Sequence, residues 1–250
     1  MAGVATEAIV LKKIDFRETS VLLDLLTVKM GKIRGVLKGV RTSPSRVSPL
    51  SFQAGSYIFV VVYPKRANQL PLLHAPQLID TFFMEEPNRC LIWQLMLRIL
   101  NIFLPEREKN NDIVKLILAT GRVLKTTRCP WIVYLWFKIR LVGLLGYGLE
   151  INQCIRCHRV KETWLISARN GGLICLECSR QTPDTIPVSS AELRIIRYLK
   201  RISVSRLSFI SGVPSPILEK INFILNLILH YHSDPGFIWW ANEKNIFTEN

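Results

Sequence analysis

The hydrophobic pattern of the chain changes its period near residue 80. Before that point, short apolar runs, several with period-2 alternation, are separated by Gly, Pro, Ser and Asn, which is typical of β-strands joined by turns. The candidate strands are Ala5 to Ile14, Ser20 to Thr27, Lys32 to Gly39, Tyr57 to Tyr63 and Gln69 to Asp80. Such a series predicts a small closed barrel, for which the OB-fold is the commonest match. An SH3-like barrel or a sandwich fragment is the alternative.

After Asp80 the apolar positions follow a period of 3.6, which predicts helices. The first predicted helix is capped by Asn88 and runs to about Phe103, the second runs from Asp112 to about Thr126, and the third runs from Trp131 to Tyr147 after Pro130. Two further helices are predicted through LRIIRYLKRI, behind the capping box of Ser189 and Glu192, and through ILEKINFILNLILHY, behind Ser215-Pro216. The predicted fold class is therefore α+β. An OB-fold nucleic-acid-binding domain is expected over residues 1–80, followed by an α-helical domain over 81–250 with a zinc-ribbon-like insertion at 151–184.

Composition supports a folded protein that does not span a membrane. Hydrophobic residues make up 49% of the 250 residues and charged residues 21%, which is the balance of a globular chain. The first residues show no basic region followed by an apolar block, so we expect no signal peptide and a cytoplasmic location. The most apolar stretch, Trp131 to Gly148, contains Lys138 and Arg140. A bilayer span needs roughly 20 mostly uncharged residues, so this stretch predicts a buried helix.

Net charge points to an anionic partner. The chain carries 33 Lys and Arg against 19 Asp and Glu, a formal net charge of +14. Such an excess attracts nucleic acid through steering and counterion release. Membrane surfaces and acidic proteins attract a basic chain equally well, so the charge alone leaves all three partners open.

Four of the six cysteines predict a metal site. They form two C-x2-C pairs, Cys154 with Cys157 and Cys175 with Cys178, separated by seventeen residues. The short spacer lets both thiolates of a pair reach one ion, and two pairs complete the tetrahedral shell of a closed structural Zn²⁺ site. We therefore expect one structural zinc ion. Cys90 and Cys129 stand alone on helical sequence and are interpreted as core thiols.

Two other metal chemistries fit the cysteine pattern less well. The run from Cys154 to His158 spells C-x-x-C-H, the attachment motif of c-type haem, but haem attachment would require export and would leave the second pair without a purpose. A zinc deaminase would need H-x-E and P-C-x-x-C, and neither pattern occurs. Four thiolates leave no open position for water, so the metal is expected to stabilise the fold, with His158 an exposed neighbour.

A basic stretch on the predicted barrel is the candidate nucleic-acid site. Within eighteen residues that contain no Asp or Glu lie Lys29, Lys32, Arg34, Lys38, Arg41 and Arg46. Period-2 alternation places Lys32, Arg34 and Lys38 on one strand face, which should be cationic. The aromatic residues that could stack on bases are Phe52, Tyr57, Phe59 and Tyr63, although most of these rings are expected to fill the barrel. A second basic face, on a predicted helix, consists of Arg194, Arg197, Lys200 and Arg201. It predicts either a second nucleic-acid contact or a solvated helix surface.

Two segments resemble the bacterial recombination and repair mediator family RecO. They are TEAIVLKKIDFRETSVLLDLLTVKMGKIRGVLKGVRTSPSR and the pair LLGYGLEINQCIRCHR and GGLICLEC. Their order and the helical sequence around them extend the resemblance over nearly the whole chain. The family's basic barrel motif carries over from Gly31-Lys32 through Lys38-Gly39 to Arg41 and Arg46, and so do the four cysteines.

The resemblance implies an OB-fold, a helical C-terminal domain and a nucleoid-associated protein that is not an enzyme. It also implies binding to single- and double-stranded DNA, annealing of complementary strands, and cooperation with RecR in loading the recombinase RecA onto strands coated with single-strand-binding protein. Two features depart from the family: His158 stands where Gly is frequent, and GFIWWANEKNIFTEN at the end has no counterpart. The alternative functions are an RNA- or ribosome-associated zinc-ribbon protein and a metal-assisted enzyme of nucleic acids, although no D-x-D, H-x-x-x-H or H-x-E arrangement supports the latter.

Overall fold

The computed structural model describes residues 2–40, 48–65, 69–82 and 84–232. Contacts divide the chain into two compact units, the first ending at Lys125 and the second beginning at Thr126. The first unit contains a β-barrel and two helices. The second contains a helical bundle and a small three-stranded sheet.

The barrel consists of β1 (Val4–Phe16), β2 (Ser20–Thr27), β3 (Gly31–Leu37), β4 (Ser56–Tyr63) and β5 (Leu72–Thr81). These strands close in the order β1-β2-β3-β5-β4, with β4 paired to β1. Strands β3 and β5 pair in parallel, while the other neighbours are antiparallel. The predicted OB-fold is confirmed, and each strand lies within three residues of its predicted bounds.

Alternation along the strands determines which residues fill the barrel and which face outward. Val21, Leu23 and Leu25 of β2 belong to the core cluster, as do Ile33 and Leu37 of β3. The even-numbered residues between them therefore project from the outer face. A bulge in β1 between Val10 and Lys12 increases the local bend of this long strand, which pairs with β4 through its first half and with β2 further along.

Helices α1 (Pro87–Phe103) and α2 (Asn111–Leu124) complete the first unit. The prediction that Asn88 caps α1 is wrong, because Glu86 occupies the N-cap and the helix begins with Pro87, whose fixed φ suits a first helical position. Helix α2 is capped by Asn110, whose side chain accepts a hydrogen bond from the Ile113 amide at 3.1 Å. Asp112 lies in the first turn of that helix.

The second unit contains α3 (Pro130–Leu144), α4 (Leu176–Ser179), α5 (Ser190–Arg201) and α6 (Ser215–Tyr231). Helix α3 packs against α5 and α6, and the predicted capping box of Ser189 and Glu192 opens α5. Helix α3 is buried along most of its length, as its apolar sequence predicts. Among the described residues, no helix combines the length and the apolar character that crossing a bilayer requires.

A fully buried lysine interrupts the apolar surface of α3. The Lys138 Nζ donates to the Asn222 Oδ1 at 2.6 Å and also to the Asn226 Oδ1, and it lies 4.1 Å from the centre of the Tyr134 ring. Two amide oxygens one helical turn apart on α6 thus replace water around the ammonium group. This polar network explains how a charged residue is accommodated in the core of the bundle.

Candidate metal centre and nucleic-acid interface

A small sheet brings the two cysteine pairs together. It consists of β6 (Trp164–Ser167), β7 (Gly172–Cys175) and β8 (Thr185–Val188) in the order β7-β6-β8. Strands β6 and β7 form a hairpin whose turn contains Gly171 at a φ of +68°, a conformation that glycine adopts without strain. The first pair lies along β7, since the Ile155 amide donates to the Leu173 carbonyl at 2.9 Å. We call residues 149–188 the ribbon; β8 extends it beyond the predicted end at residue 184.

The four cysteine sulfurs form a compact cluster. The Sγ atoms of Cys154, Cys157, Cys175 and Cys178 all lie within 4.8 Å of one another, and Cys157 and Cys175 are 3.8 Å apart. A tetrahedral zinc site with Zn–S bonds of about 2.3 Å has sulfurs about 3.8 Å apart, whereas a disulfide bond is about 2.0 Å. The predicted cysteines thus come together in the geometry of a metal shell.

Hydrogen bonds tune the acidity of these thiols in opposite directions. Burial opposes the ionisation of Cys154, but hydrogen bonds from the backbone amides of Cys157, Cys175 and Arg156 outweigh it and lower the pKa to about 6. A hydrogen bond with Cys175, together with burial, raises the pKa of Cys178 to about 12. Thiolate is the form that binds metal, so the lowered pKa of Cys154 favours its ligand form, and metal binding would drive the ionisation of Cys178.

The remaining cysteines and His158 lie outside this cluster. Cys129 is half-buried at the N-cap of α3, and its burial raises the pKa of its thiol. Cys90 is exposed, so its prediction as a core thiol is wrong; the buried face of α1 begins two residues later at Ile92. His158 is exposed with a φ of +57°, the left-handed region that glycine adopts most readily.

Helix α5 holds the segment that leads into the first cysteine pair. The Arg197 guanidinium donates to the Ile151 carbonyl at 2.9 and 2.7 Å, and the Lys200 Nζ donates to the Leu149 carbonyl at 2.5 Å. Two of the four residues of the predicted basic helical face, Arg197 and Lys200, therefore donate to backbone carbonyl groups of their own unit. Arg194, Lys200 and Arg201 are exposed, and Arg197 is half-buried.

The barrel places its predicted basic residues in two different environments. Lys29, in the β2–β3 turn, and Lys38, directly after β3, are exposed. Lys32 is half-buried, and its Nζ donates to the Asn101 carbonyl of α1 at 2.8 Å. Arg34 forms a two-pronged ion pair with Asp24 at 2.5 and 2.9 Å. Arg41 and Arg46 lie outside the described residues.

The neighbouring strand explains why Arg34 is paired. Asp24 of β2 lies directly opposite Arg34 in register, and Lys12 of β1 lies opposite Asp24 on its other side. Burial opposes the ionisation of Asp24, but the hydrogen bond and charge of Arg34, helped by Asn101, outweigh it and lower the pKa. The basic stretch contains no acidic residue in the sequence, but Asp24 on the neighbouring strand neutralises part of its charge.

A cleft at the edge of the barrel collects cations that the sequence pattern did not identify. This cavity of about 520 Å³ is lined by β3, the β4–β5 connection and the segment after α1. Its cations are Arg34, Lys65 and Arg107, and Glu106 is its acidic lining residue. Lys65 and Arg107 were missed because they lie outside the predicted basic stretch and far from each other in the sequence. Only the parallel pairing of β3 with β5 and the hydrogen bond from the Arg107 amide to the Lys32 carbonyl at 2.8 Å bring them beside Arg34.

The candidate stacking rings also separate into two groups. Phe52 belongs to the barrel core, and Tyr57 is buried on the outer side, where its hydroxyl donates to the Glu7 carboxylate. Phe59 and Tyr63 are 37% and 40% exposed on the outer face of β4. The prediction that most of these rings fill the barrel is wrong, because β4 directs Ile58, Val60 and Val62 inward and its aromatic residues outward.

Comparison with known proteins matches both parts of the chain to one family. Residues 1–82 match the model described as Recombination protein O N terminal, and residues 84–237 match Recombination protein O C terminal. The chain is 24% identical to the DNA repair protein RecO of Bacillus pumilus over 96% of this chain and 92% of the relative. It is 28% identical to the protein of the same name from Dehalococcoides mccartyi, over 95% of this chain and 94% of the relative. It is 26% identical to the protein of that name from Caldicellulosiruptor bescii, over 82% of this chain and 87% of the relative. The chain therefore belongs to the RecO family of recombination and DNA repair proteins.

Proposed function

We propose that the chain is a mediator of recombinational repair that binds single- and double-stranded DNA, anneals complementary strands and helps to load the recombinase. The observation that carries this proposal is the cationic cleft on a five-stranded OB-fold barrel in a member of the RecO family. In OB-folds the face of strands 2 and 3 and the connection between strands 4 and 5 bind oligonucleotides. The cleft lies between β3 and that connection.

The proposed DNA contacts combine the cleft with the predicted basic residues. Arg34, Lys65 and Arg107 supply charge inside the cleft, and the exposed Lys29 and Lys38 flank β3. Lys32 is also a proposed contact. To bind a phosphate, its ammonium group must give up its hydrogen bond to the Asn101 carbonyl. Arg41 and Arg46 complete the set on the strength of the resemblance. These groups meet the sugar-phosphate backbone, so binding is expected to depend on salt more than on sequence.

The chain acts without catalysing a reaction, as its family does. We propose that the cysteine cluster holds one Zn²⁺ ion that stabilises the ribbon, because four thiolates complete the shell and leave no position for substrate or activated water. RecR, single-strand-binding protein and, indirectly, the RecA filament are the partners expected from the family. The division into residues 1–80 and 81–250 remains our proposal for the functional domains.

Binding and annealing measured side by side test this function. Labelled single-stranded DNA, duplex DNA and RNA of matched length are titrated at several salt concentrations, and annealing is followed with complementary labelled strands. We expect the DNA to be bound and annealed. Replacement of Lys65 and Arg107 by Ala should flatten the dependence of log affinity on log salt by about 1.4 on single strands, which is about 0.7 for each phosphate contact.

A matched double variant distinguishes the cleft from overall charge. Lys115 and Arg122 are exposed on α2 and do not line the cleft, so their replacement by Ala removes the same charge from the first unit. An equal loss of binding in both variants would contradict a DNA path through the cleft. Tighter binding of RNA than of either DNA would favour the RNA-associated alternative.

A further inference from the structure

An open pocket of about 580 Å³ lies on the ribbon, and none of the proposed barrel contacts uses it. Three segments of the ribbon line it, and two of them contain or follow a cysteine pair. The three segments are the first cysteine pair with Ile155 and Arg156, the β6–β7 turn with Arg169 and Asn170, and the chain after the second pair from Gln181 to Pro183. Among the described residues, the lining contains two arginines and no carboxylate, so the pocket favours an anion.

The donor groups of the pocket are arranged around one interaction. The Arg156 Nη1 donates to the Gln181 Oε1 at 3.2 Å, which leaves the amide nitrogen of Gln181 as a donor. Within the described parts of the chain, no carboxylate pairs with Arg156 or Arg169. Two guanidinium groups and one amide group therefore keep N–H donors for a ligand.

The chemistry of these donors selects a phosphate group. Arginine offers planar, paired N–H groups that match phosphate oxygens, and guanidinium is only weakly hydrated, so it exchanges water for phosphate readily. An acidic peptide would also need apolar anchors to gain affinity. The lining offers little apolar surface for such anchors, since its apolar residues are Ile155 and Pro183. The Thr182 hydroxyl is occupied as a donor, since it donates to the Cys178 carbonyl at 3.2 Å.

We propose that this pocket binds a phosphate of a nucleic-acid backbone and gives the ribbon a strand contact of its own. The inference rests on the proposed DNA-binding function and extends it, because a protein that holds two strands at once can bring complementary strands together. One strand occupies the barrel and the other contacts Arg156 and Arg169. The cysteine cluster then has a role in binding, because it joins two of the three segments that form the pocket, the first cysteine pair and the chain after the second pair.

The test uses the full-length, zinc-loaded protein and a labelled oligothymidylate. Arg156 and Arg169 are both replaced by Gln, and the matched control replaces Arg128 and Arg206, two exposed arginines of the same unit outside the pocket. We expect the pocket variant to flatten the slope of log affinity against log salt by about 1.4 and to anneal more slowly. The control is expected to change the slope far less.

Zinc content and far-UV circular dichroism show whether the variants remain folded. Arg156 lies between two cysteines, so Arg169→Gln alone, in the β6–β7 turn, provides a second variant with an expected flattening of about 0.7. An unchanged slope in the folded pocket variants, or equal flattening in the control, would overturn the proposal. Loss of hexaglutamate binding with unchanged DNA binding would instead assign the pocket to an acidic peptide.

Failure of the proposed function has a different signature. If the wild-type protein binds no DNA, the mediator proposal fails, and calorimetric titration with tripolyphosphate still examines the pocket. A binding heat that is present in the wild type and the control and absent from the pocket variant would support a phosphate site. Equal heats in all three proteins would overturn it.

Discussion

At the residue scale, Asp24 controls whether Arg34 is available to a ligand. Its side chain is 5% exposed and accepts hydrogen bonds from Arg34 and from Asn101 of α1. Asp24→Asn removes the charge while keeping the shape, so we expect the free energy of unfolding to fall by about 1 to 2 kcal/mol at pH 7. Asp15→Asn, at a carboxylate that is 58% exposed, should change it by less than about 0.5 kcal/mol in the same denaturant titration.

The effect of Asp24→Asn on stability should depend on pH in one direction. The folded protein lowers the pKa of Asp24, so the carboxylate stabilises the fold above its unfolded pKa and loses this contribution as the pH falls through the folded value. The difference in unfolding free energy between wild type and Asp24→Asn should therefore be complete at pH 7 and shrink below about pH 4. A difference that grows on acidification would contradict the ion pair as its source.

The same substitution should strengthen the binding of single-stranded DNA. Without the Asp24 charge, Arg34 is released toward the cleft that it lines, so a phosphate no longer competes with a carboxylate. We expect tighter binding and a salt slope steeper by up to about 0.7, the value for one additional phosphate contact. Unchanged affinity in a folded Asp24→Asn protein would place the DNA path away from Arg34.

At the scale of the elements, periodicity predicted what depends on local sequence. The five barrel strands, the five longer helices, the α5 capping box and the cysteine cluster follow from alternation, caps and spacing within one segment. The pairing of Arg34 with Asp24 and the cleft cations Lys65 and Arg107 depend on which strands become neighbours. Neither β8 nor the hydrogen bonds from α5 to residues 149–151 can be predicted from the local sequence, because both arise from contacts across the second unit.

Helix α5 should contribute to metal retention without contacting the metal. Arg197 holds the Ile151 carbonyl, three residues before Cys154, so Arg197→Met removes two hydrogen bonds while keeping much of the side-chain length. We expect zinc to transfer to a coloured chelator faster, by severalfold, because supporting contacts of a metal site are worth about 10-fold or more in affinity. Arg194→Met, at an exposed position on the same helix, is the control; equal rates in the two variants would contradict this role.

At the scale of the whole molecule, the two compact units depend on different sources of stability. The first unit closes a barrel around an apolar core. The second unit combines a helical bundle, held by α3, with a ribbon whose longest strand has four residues. Such short strands bury little surface, so the proposed zinc ion is expected to supply much of the folding energy of the ribbon.

Removal of one metal ligand should therefore unfold the ribbon and spare the barrel. In Cys175→Ser the remaining three thiolates bind zinc weakly, and we expect the metal content to fall from one ion per chain to a small fraction of that. Hydrogen exchange followed by mass spectrometry should show lost protection over residues 149–188 and unchanged protection in β2 and β4. Cys90→Ser, which changes an exposed thiol outside the cluster, should alter neither measurement. Preserved ribbon protection in metal-free Cys175→Ser would show that the sheet folds without zinc, whereas lost protection in the barrel would show that the two units unfold together.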